Sequence, residues 1–376
     1  MHVHLVDPSA YTPPYDHALG SALASAGADV DLFTSRFAYG RVPVPAGYRR
    51  HELFYRSAAR LRDARARRAA KLLEHVPDML RYRRAANGAD VVHFQWLTVQ
   101  HVDGLLLPGR RRREGGRRPR VLTAHDVLPR EPRRGQVQAQ RRLYGRFDAI
   151  VVHSQHGRER LTADLGVDEQ RVHVIEHGAF AHLAEMPVMA DAECELPPPS
   201  GRPVVLMFGL LRPYKGIDDL LAAWKGIDDA ELWIAGMPRM DLDRLRADAP
   251  PGVRFFPRYI DERELPAFFG RAQLVVLPYR EIDQSGVLFT ALAFGKALLL
   301  SDAGGFPEIA ARGAARTYPA GDVLALRSAL RELLDDEPAR QRLAAAAREL
   351  AEGAHSWTEI ARRTMALYER LLVEGS

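Results

Sequence analysis

An apolar run at 204–208 ends on Gly209, and a second glycine, Gly216, precedes Ile217, Leu220, Leu221 and Trp224. A short apolar run bounded by turn residues reads as a buried parallel strand, and the later residues recur at helical spacing. Strand, tight turn and helix in that order commit this part of the chain to a βα unit, and so to a parallel sheet covered by helices. Such a turn is also an anion site, because backbone N–H groups and the helix dipole face into it. Arg212 and Lys215 place two cations there. Lys215 is one of four lysines in a chain otherwise basic through arginine, and a compact ammonium suits a phosphate. A lysine that only closes a surface turn is the plainer alternative.

The pattern repeats at 274–296. An apolar strand (274–277) runs into the polar loop Pro278, Tyr279, Arg280, Glu281, Ile282, Asp283, Gln284, and Ser285-Gly286-Val287 opens an apolar helix. Ser285 is a suitable N-cap, and Gly286 lets the backbone approach a ligand closely. Two helix N-termini with Arg212 and Lys215 would balance about two phosphate charges, which suits the diphosphate of a nucleotide sugar.

Elsewhere the chain alternates strands and helices. Strands are expected at 3–6, 30–33, 91–94, 120–124, 149–152 and 171–175, and helices at 15–26, 53–74 and 158–165. Prolines at 187, 197–199 and 203 mark a linker. A second alternation has strands at 204–208, 231–235, 253–255, 274–277 and 297–300. The expected organisation is an N-terminal α/β domain at 1–186, a linker at 187–203, a second α/β domain at 204–354 and a closing helix within 355–376. Ligands of open α/β sheets bind at the C-terminal ends of the strands, so a cleft between two such sheets is the expected site. No Gly-x-Gly-x-x-Gly is present, which argues against a dinucleotide oxidoreductase.

Composition narrows the class. A chain of 376 residues, 47% hydrophobic, can bury two cores. No apolar run reaches the roughly 18 residues of a membrane span, and the first residues run straight into a strand, so a cytoplasmic protein without a signal peptide is expected. Cys194 stands alone, which excludes a disulfide framework. Residues 49–120 hold 19 Arg/Lys against 7 Asp/Glu. Neither a zinc finger, an RNP-type strand nor a KH loop accompanies this charge, so nucleic acid is not expected as a partner. A solvated arginine surface and attraction to an anionic membrane or acceptor both stay open.

The motifs, in this order and spacing, resemble the retaining family 4 glycosyltransferases of the GT-B fold. They are the 209–216 turn, Arg258-Tyr259-Ile260, the 278–296 block, the 301–308 segment with Gly304, Gly305 and Glu308, and the Ser356-Trp357 helix start. The resemblance covers nearly the whole chain. It implies two Rossmann-like doubly wound domains facing a cleft, with the last helix crossing back to the first domain. It implies diphosphate binding by Gly209, Arg212, Lys215, Ser285, Gly286 and Val287, and nucleoside contacts at Arg258, Tyr259, Ile260 and position 290. His125, at the end of the 120–124 strand, falls where the family has a histidine near the reacting sugar carbon. His125, Arg212 and Lys215 are therefore the expected catalytic groups. Tyr11, Tyr15 and Asp16, in a proline-stiffened first loop, and His93 are candidates for the acceptor side. Structural roles stay open for His93 and for Asp16, the latter as a helix cap.

Two positions depart from the family pattern. Its glutamate pair, eight residues apart, falls here on Ile282 and Thr290. Glu281, Asp283 or Gln284 would have to hold the sugar hydroxyls, and Thr290 offers the ribose a hydroxyl in place of a carboxylate. Leu210 also stands where the family commonly has arginine, and Arg212 is the nearest substitute. The reading is a retaining hexosyltransferase using a nucleoside diphosphate sugar, with no cofactor and no metal. The alternatives are a non-catalytic transferase-like partner subunit and a sugar-nucleotide epimerase on the same fold.

Overall fold

The computed structural model describes residues 1–111, 115–128, 134–191 and 193–375. Part of the basic run at 110–120 lies outside them. The chain forms two compact units, one of residues 1–177 with 357–376 and the other of residues 178–356.

The first unit carries a seven-stranded parallel sheet in the order β3-β2-β1-β4-β5-β6-β7. Its strands are β1 (His2–Asp7), β2 (Asp29–Ser35), β3 (Arg49–Phe54), β4 (Val91–Phe94), β5 (Arg120–Thr123), β6 (Ala149–Val152) and β7 (Val172–Val174). The central strands are largely buried because helices cover both faces; Val91, Val92, Phe94 and Ile150 are fully buried. The helix Trp357–Glu374 belongs to this unit. Tyr368 of that helix bonds His93 of β4 at 2.5 Å, and Trp357 packs edge-on to Tyr15 with centroids 5.1 Å apart.

The second unit has a six-stranded parallel sheet in the order β10-β9-β8-β11-β12-β13. Its strands are β8 (Val204–Phe208), β9 (Glu231–Ala235), β10 (Val253–Phe256), β11 (Ala272–Leu277), β12 (Ala297–Ser301) and β13 (Ala315–Tyr318). Trp224, Ile217 and Leu220 bury the inner face of the helix Ile217–Trp224 against this sheet.

Three elements differ from the sequence reading. Residues 49–54 form edge strand β3, and the helix expected at 53–74 runs instead from Ala64 to Ala85, capped by the Asp63 carboxylate. Arg49–Phe54 is polar because an edge strand is half solvated, so it lacks an apolar run. Strand β13, four residues with one arginine, escapes notice for the same reason. Finally, the two units divide at 177/178, ahead of the proline-rich stretch, and residues 178–203 belong to the second unit.

Candidate active site

In the second unit, β8 ends at Phe208 and the chain turns at Gly209 with φ +108. A Cβ on Gly209 would lie 2.9 Å from Lys215 Nζ and 2.8 Å from a Val287 methyl. The two turns singled out in the sequence therefore meet at one point. Lys215, on the 3-10 turn Pro213–Lys215, is buried. Its ammonium donates to the Tyr279 hydroxyl at 2.9 Å and lies 4.6 Å from that ring's centre. Gly216 and Gly304 hold the 278–285 loop from two sides. Both have left-handed φ, and a Cβ would overlap the Pro278 carbonyl in one case and the Ile282 carbonyl in the other. Arg212 is exposed at the rim. Arg280 bonds Asp218 and Asp219 at 2.7–2.8 Å, tying the same loop to the first turn of the helix Ile217–Trp224.

Ser285 occupies the N-cap position of the helix Gly286–Ala293, but its side chain makes no cap bond. This corrects the expectation of a serine cap. The Gly286 and Val287 amides, which have no intrahelical carbonyl to meet, thus get no bond from this hydroxyl. Thr290 is the fifth residue of that helix, and its buried hydroxyl donates to the Gly286 carbonyl at 3.0 Å. Asp283 is buried, Glu281 exposed and Gln284 half-buried. The Gln284 carbonyl oxygen accepts from the Ser285 amide at 3.3 Å.

The Arg258 guanidinium is committed to structure. It bonds Glu264 at 2.6 and 3.0 Å and the Cys194 carbonyl at 2.9 Å. Ile260 is buried, and burial pushes the half-buried Tyr259 hydroxyl up to about 12. Any base contact from this segment falls to its backbone and to Tyr259.

In the first unit, His125 follows β5 and stacks on Trp96 with centroids 4.9 Å apart and planes 14° apart. Tyr15 meets it edge-on at 4.7 Å, and Tyr15 also touches His177 and His153. His153 Nδ1 lies 2.9 Å from the Ile175 carbonyl and donates to it. Its Nε2 lies 3.2 Å from His125 Nδ1, and His125 Nε2 lies 3.3 Å from Gln95 Oε1. Burial first, then His153, holds the His125 imidazole well below its ordinary pKa. It is a neutral ring held between His153 and Gln95.

The acceptor candidates part company. Tyr11 is exposed over Trp96, whereas Tyr15 is buried in the histidine cluster. Asp16 is no helix cap. It is fully buried inside the first helix, Pro13–Ser25, and shares a hydrogen bond with Asp7. The Asp7 carboxylate accepts from the Ser9, Tyr11 and Thr12 amides and thereby shapes the loop. Burial and the neighbouring Asp7 raise the Asp16 carboxyl well above the usual range. His93 has both ring nitrogens occupied, by Tyr368 at 2.5 Å and Thr123 at 2.7 Å, and burial lowers it to about 3. That leaves its ring no nitrogen for an acceptor. The sequence reading missed Trp96, His153, His177 and Gln95. The available signal was a histidine at or just after each of β5, β6 and β7.

Residues 16–179 match the family described as Glycosyltransferase Family 4, and residues 202–336 that described as Glycosyl transferases group 1. The chain belongs to the family 4-like glycosyltransferases of the GT-B fold. This glycosyltransferase is 27% identical over 291 residues to an alpha-maltose-1-phosphate synthase of Mycolicibacterium smegmatis, covering 67% of this chain and 73% of that one. Its fold is similar to a sucrose-phosphate synthase from Thermosynechococcus elongatus, with TM-score 0.76 and 21% identity over the whole of both chains. It is also similar to Anabaena HepE solved in complex with UDP-glucose, with TM-score 0.72 and 15% identity over 98% of this chain and 100% of that one.

Proposed function

We propose that this glycosyltransferase moves a hexosyl unit from a nucleoside diphosphate sugar to an acceptor hydroxyl, with retention of configuration and without a metal at the diphosphate. The observation that carries the reading is the meeting of Lys215, Gly209 and Val287. A buried ammonium, a glycine turn and the amide end of the helix Gly286–Ala293 converge within contact distance. Fixed donors of this kind stabilise the negative charge that builds on a leaving diphosphate. Arg212 adds a second cation from the rim. A UDP-glucose complex in a neighbour of the same fold supports a nucleotide sugar as donor. In this reading the leaving phosphate accepts the acceptor's proton, and His125 is the neutral ring that the resembling family has near the reacting carbon. Tyr11 lines the acceptor side.

The basic helix Ala64–Ala85 supports contact with an anionic membrane. Leu72 and Leu73 are 62% and 79% exposed on it, among Arg65, Arg67, Arg68 and Lys71. An apolar ridge edged by cations suits an anionic lipid surface. No helix among the described residues is long and apolar enough to cross a membrane.

The deciding experiment is calorimetric titration of UDP, GDP and their sugars, followed by transfer assays with the binder. Failure of every nucleotide to bind would remove the donor reading and leave the non-catalytic partner.

A further inference from the structure

At the N-terminal ends of β1 and β2, away from the strand ends that carry His125, three imidazoles surround one carboxylate. His4 and Asp31 are register partners across the two strands, and Asp31 in turn pairs with Arg49 of β3. His2 lies two residues before His4 and therefore on the same face of the sheet. His2 Nε2 is 2.6 Å from Asp31 Oδ2, and His4 Nε2 is 3.9 Å from the same oxygen. One ligand atom from each of His2, His4 and Asp31 falls within 4.8 Å of the others. His51 Nε2 reaches the second oxygen, Asp31 Oδ1, at 2.7 Å.

The Arg49 guanidinium binds both Asp31 oxygens, Oδ1 at 2.7 Å and Oδ2 at 3.0 Å, but the contact between His2 and Asp31 still lacks a proton or a cation. His2 Nδ1 lies 2.9 Å from the Gly88 carbonyl and donates to it. In the neutral ring, Nε2 then points a lone pair at a carboxylate oxygen. Two acceptors face each other, and either a second proton or a metal ion must stand between them. A ring nitrogen donating to a backbone carbonyl is the arrangement that orients metal-binding histidines. Two buried polar atoms beside the cluster, His4 Nδ1 and the Tyr82 hydroxyl, have no hydrogen-bond partner. Phe33 and Tyr82 pack against His4 with centroids 4.7 and 6.1 Å away, giving the cluster an apolar floor.

We propose that His2, His4 and Asp31 bind one Zn2+, with His51 or water completing the shell. Imidazole and carboxylate suit zinc, whose bonds of about 2.0–2.2 Å put tetrahedral ligand atoms about 3.3 Å apart. His2, part-exposed at 26%, has room to withdraw by the small distance required. Arg49 would give up its 3.0 Å bond to Asp31 Oδ2 and keep Asp31 Oδ1 at 2.7 Å and Asp29 at 2.8 Å. The ion would clasp the first two strands at the end of the sheet opposite His125, so it plays no part in the transfer chemistry.

The test is competition between metal-stripped, tag-free full-length protein and a chromophoric zinc indicator, with thermal melting alongside. One equivalent of Zn2+ is expected to bind and raise the melting midpoint. His4→Ala and Asp31→Asn should each weaken binding at least tenfold. His2→Ala, at a part-exposed position, gives the same reading if a core variant does not fold. His101→Ala, on an exposed residue outside the cluster, should bind as the parent does. Absence of a stoichiometric site, or equal binding by the parent, His2→Ala and Asp31→Asn, overturns the proposal and leaves a proton-filled ion pair.

Discussion

The Lys215 ammonium lies 2.9 Å from the Tyr279 hydroxyl. These residues sit on two loops, after β8 and after β11, so one bond joins both halves of the proposed diphosphate site. Tyr279 is fully buried, and Ser301 Oγ donates to its carbonyl at 2.6 Å. The ammonium is thus held in place before any ligand arrives, and little side-chain entropy is left to lose on binding.

Replacing Lys215 by methionine keeps most of the packing and removes the charge. A charge-assisted hydrogen bond contributes about 1.5–3 kcal/mol, so nucleoside diphosphate affinity should fall by about 10- to 150-fold with circular dichroism unchanged. Calorimetry of both proteins with UDP and GDP decides the matter. Equal affinity would mean that Lys215 only braces the loop.

Gly209→Ala tests the convergence itself. The added methyl would crowd Lys215 and Val287 at 2.9 and 2.8 Å, at a backbone with φ +108. Strain of this kind costs about 1–3 kcal/mol. A lower melting midpoint together with lost nucleotide binding is the expected pair of changes, and an alanine variant that binds normally would contradict it.

Thr290→Glu should behave differently in free and bound protein. Position 290 is buried, and the present hydroxyl is satisfied by Gly286. A carboxylate there without a partner should lower the melting midpoint of the free protein. If ribose lies against this residue, as in the resembling family, UDP should restore more stability to the variant than to the parent. Melting curves with and without UDP report this directly, and an equal ligand-induced shift in both would place the ribose elsewhere.

Asp16 supplies a pH test whose sign is set by burial. In the unfolded chain an aspartate loses its proton near pH 3.9. In the folded protein Asp16 keeps its proton to a much higher pH. Between those values the folded state binds more protons, so this residue's contribution to stability is full at low pH and is lost as pH rises, by about 1.4 kcal/mol per pH unit. Asp16→Asn removes that loss. The stability difference, variant minus parent, should therefore grow from pH 4 upward in urea titrations. A flat difference would show that Asp16 ionises normally.

Membrane attachment makes a separate prediction. The parent should bind anionic vesicles at low ionic strength and release them as the screening length drops from about 10 Å at 0.1 M salt to about 3 Å at 1 M. Leu73→Ser should weaken the binding without changing the salt response. Binding indifferent to both salt and Leu73 would dismiss this surface.

Much of the fold could be read from the chain because doubly covered parallel strands are mostly apolar. Strands β4, β6, β8, β9 and β11 announce themselves in this way. Strands β3 and β13 do not, since an edge strand gains its place from pairing and carries polar residues such as Arg49, His51 and Arg316. The 209–216 turn was legible because its glycines and Lys215 are local in sequence. The surroundings of His125 were not, because Tyr15, Trp96, His153, His177 and Trp357 come from six separate strand ends and helix starts when His125 is included. Ser285 shows the opposite error, in which a residue well suited to capping stands at the cap position and leaves the amides alone.

The first unit contains residues 1–177 and the helix Trp357–Glu374. On the ribosome this half of the protein begins first and is completed only after all of residues 178–356 have been made. Until then His93 lacks its Tyr368 partner, Tyr15 lacks the indole of Trp357, and the sheet waits partly uncovered. A fragment ending at residue 177 should accordingly be insoluble or sticky to chaperones, and supplying residues 357–374 as a separate peptide should rescue it. Truncations that remove residues 357–374 would then damage the unit built on residues 1–177.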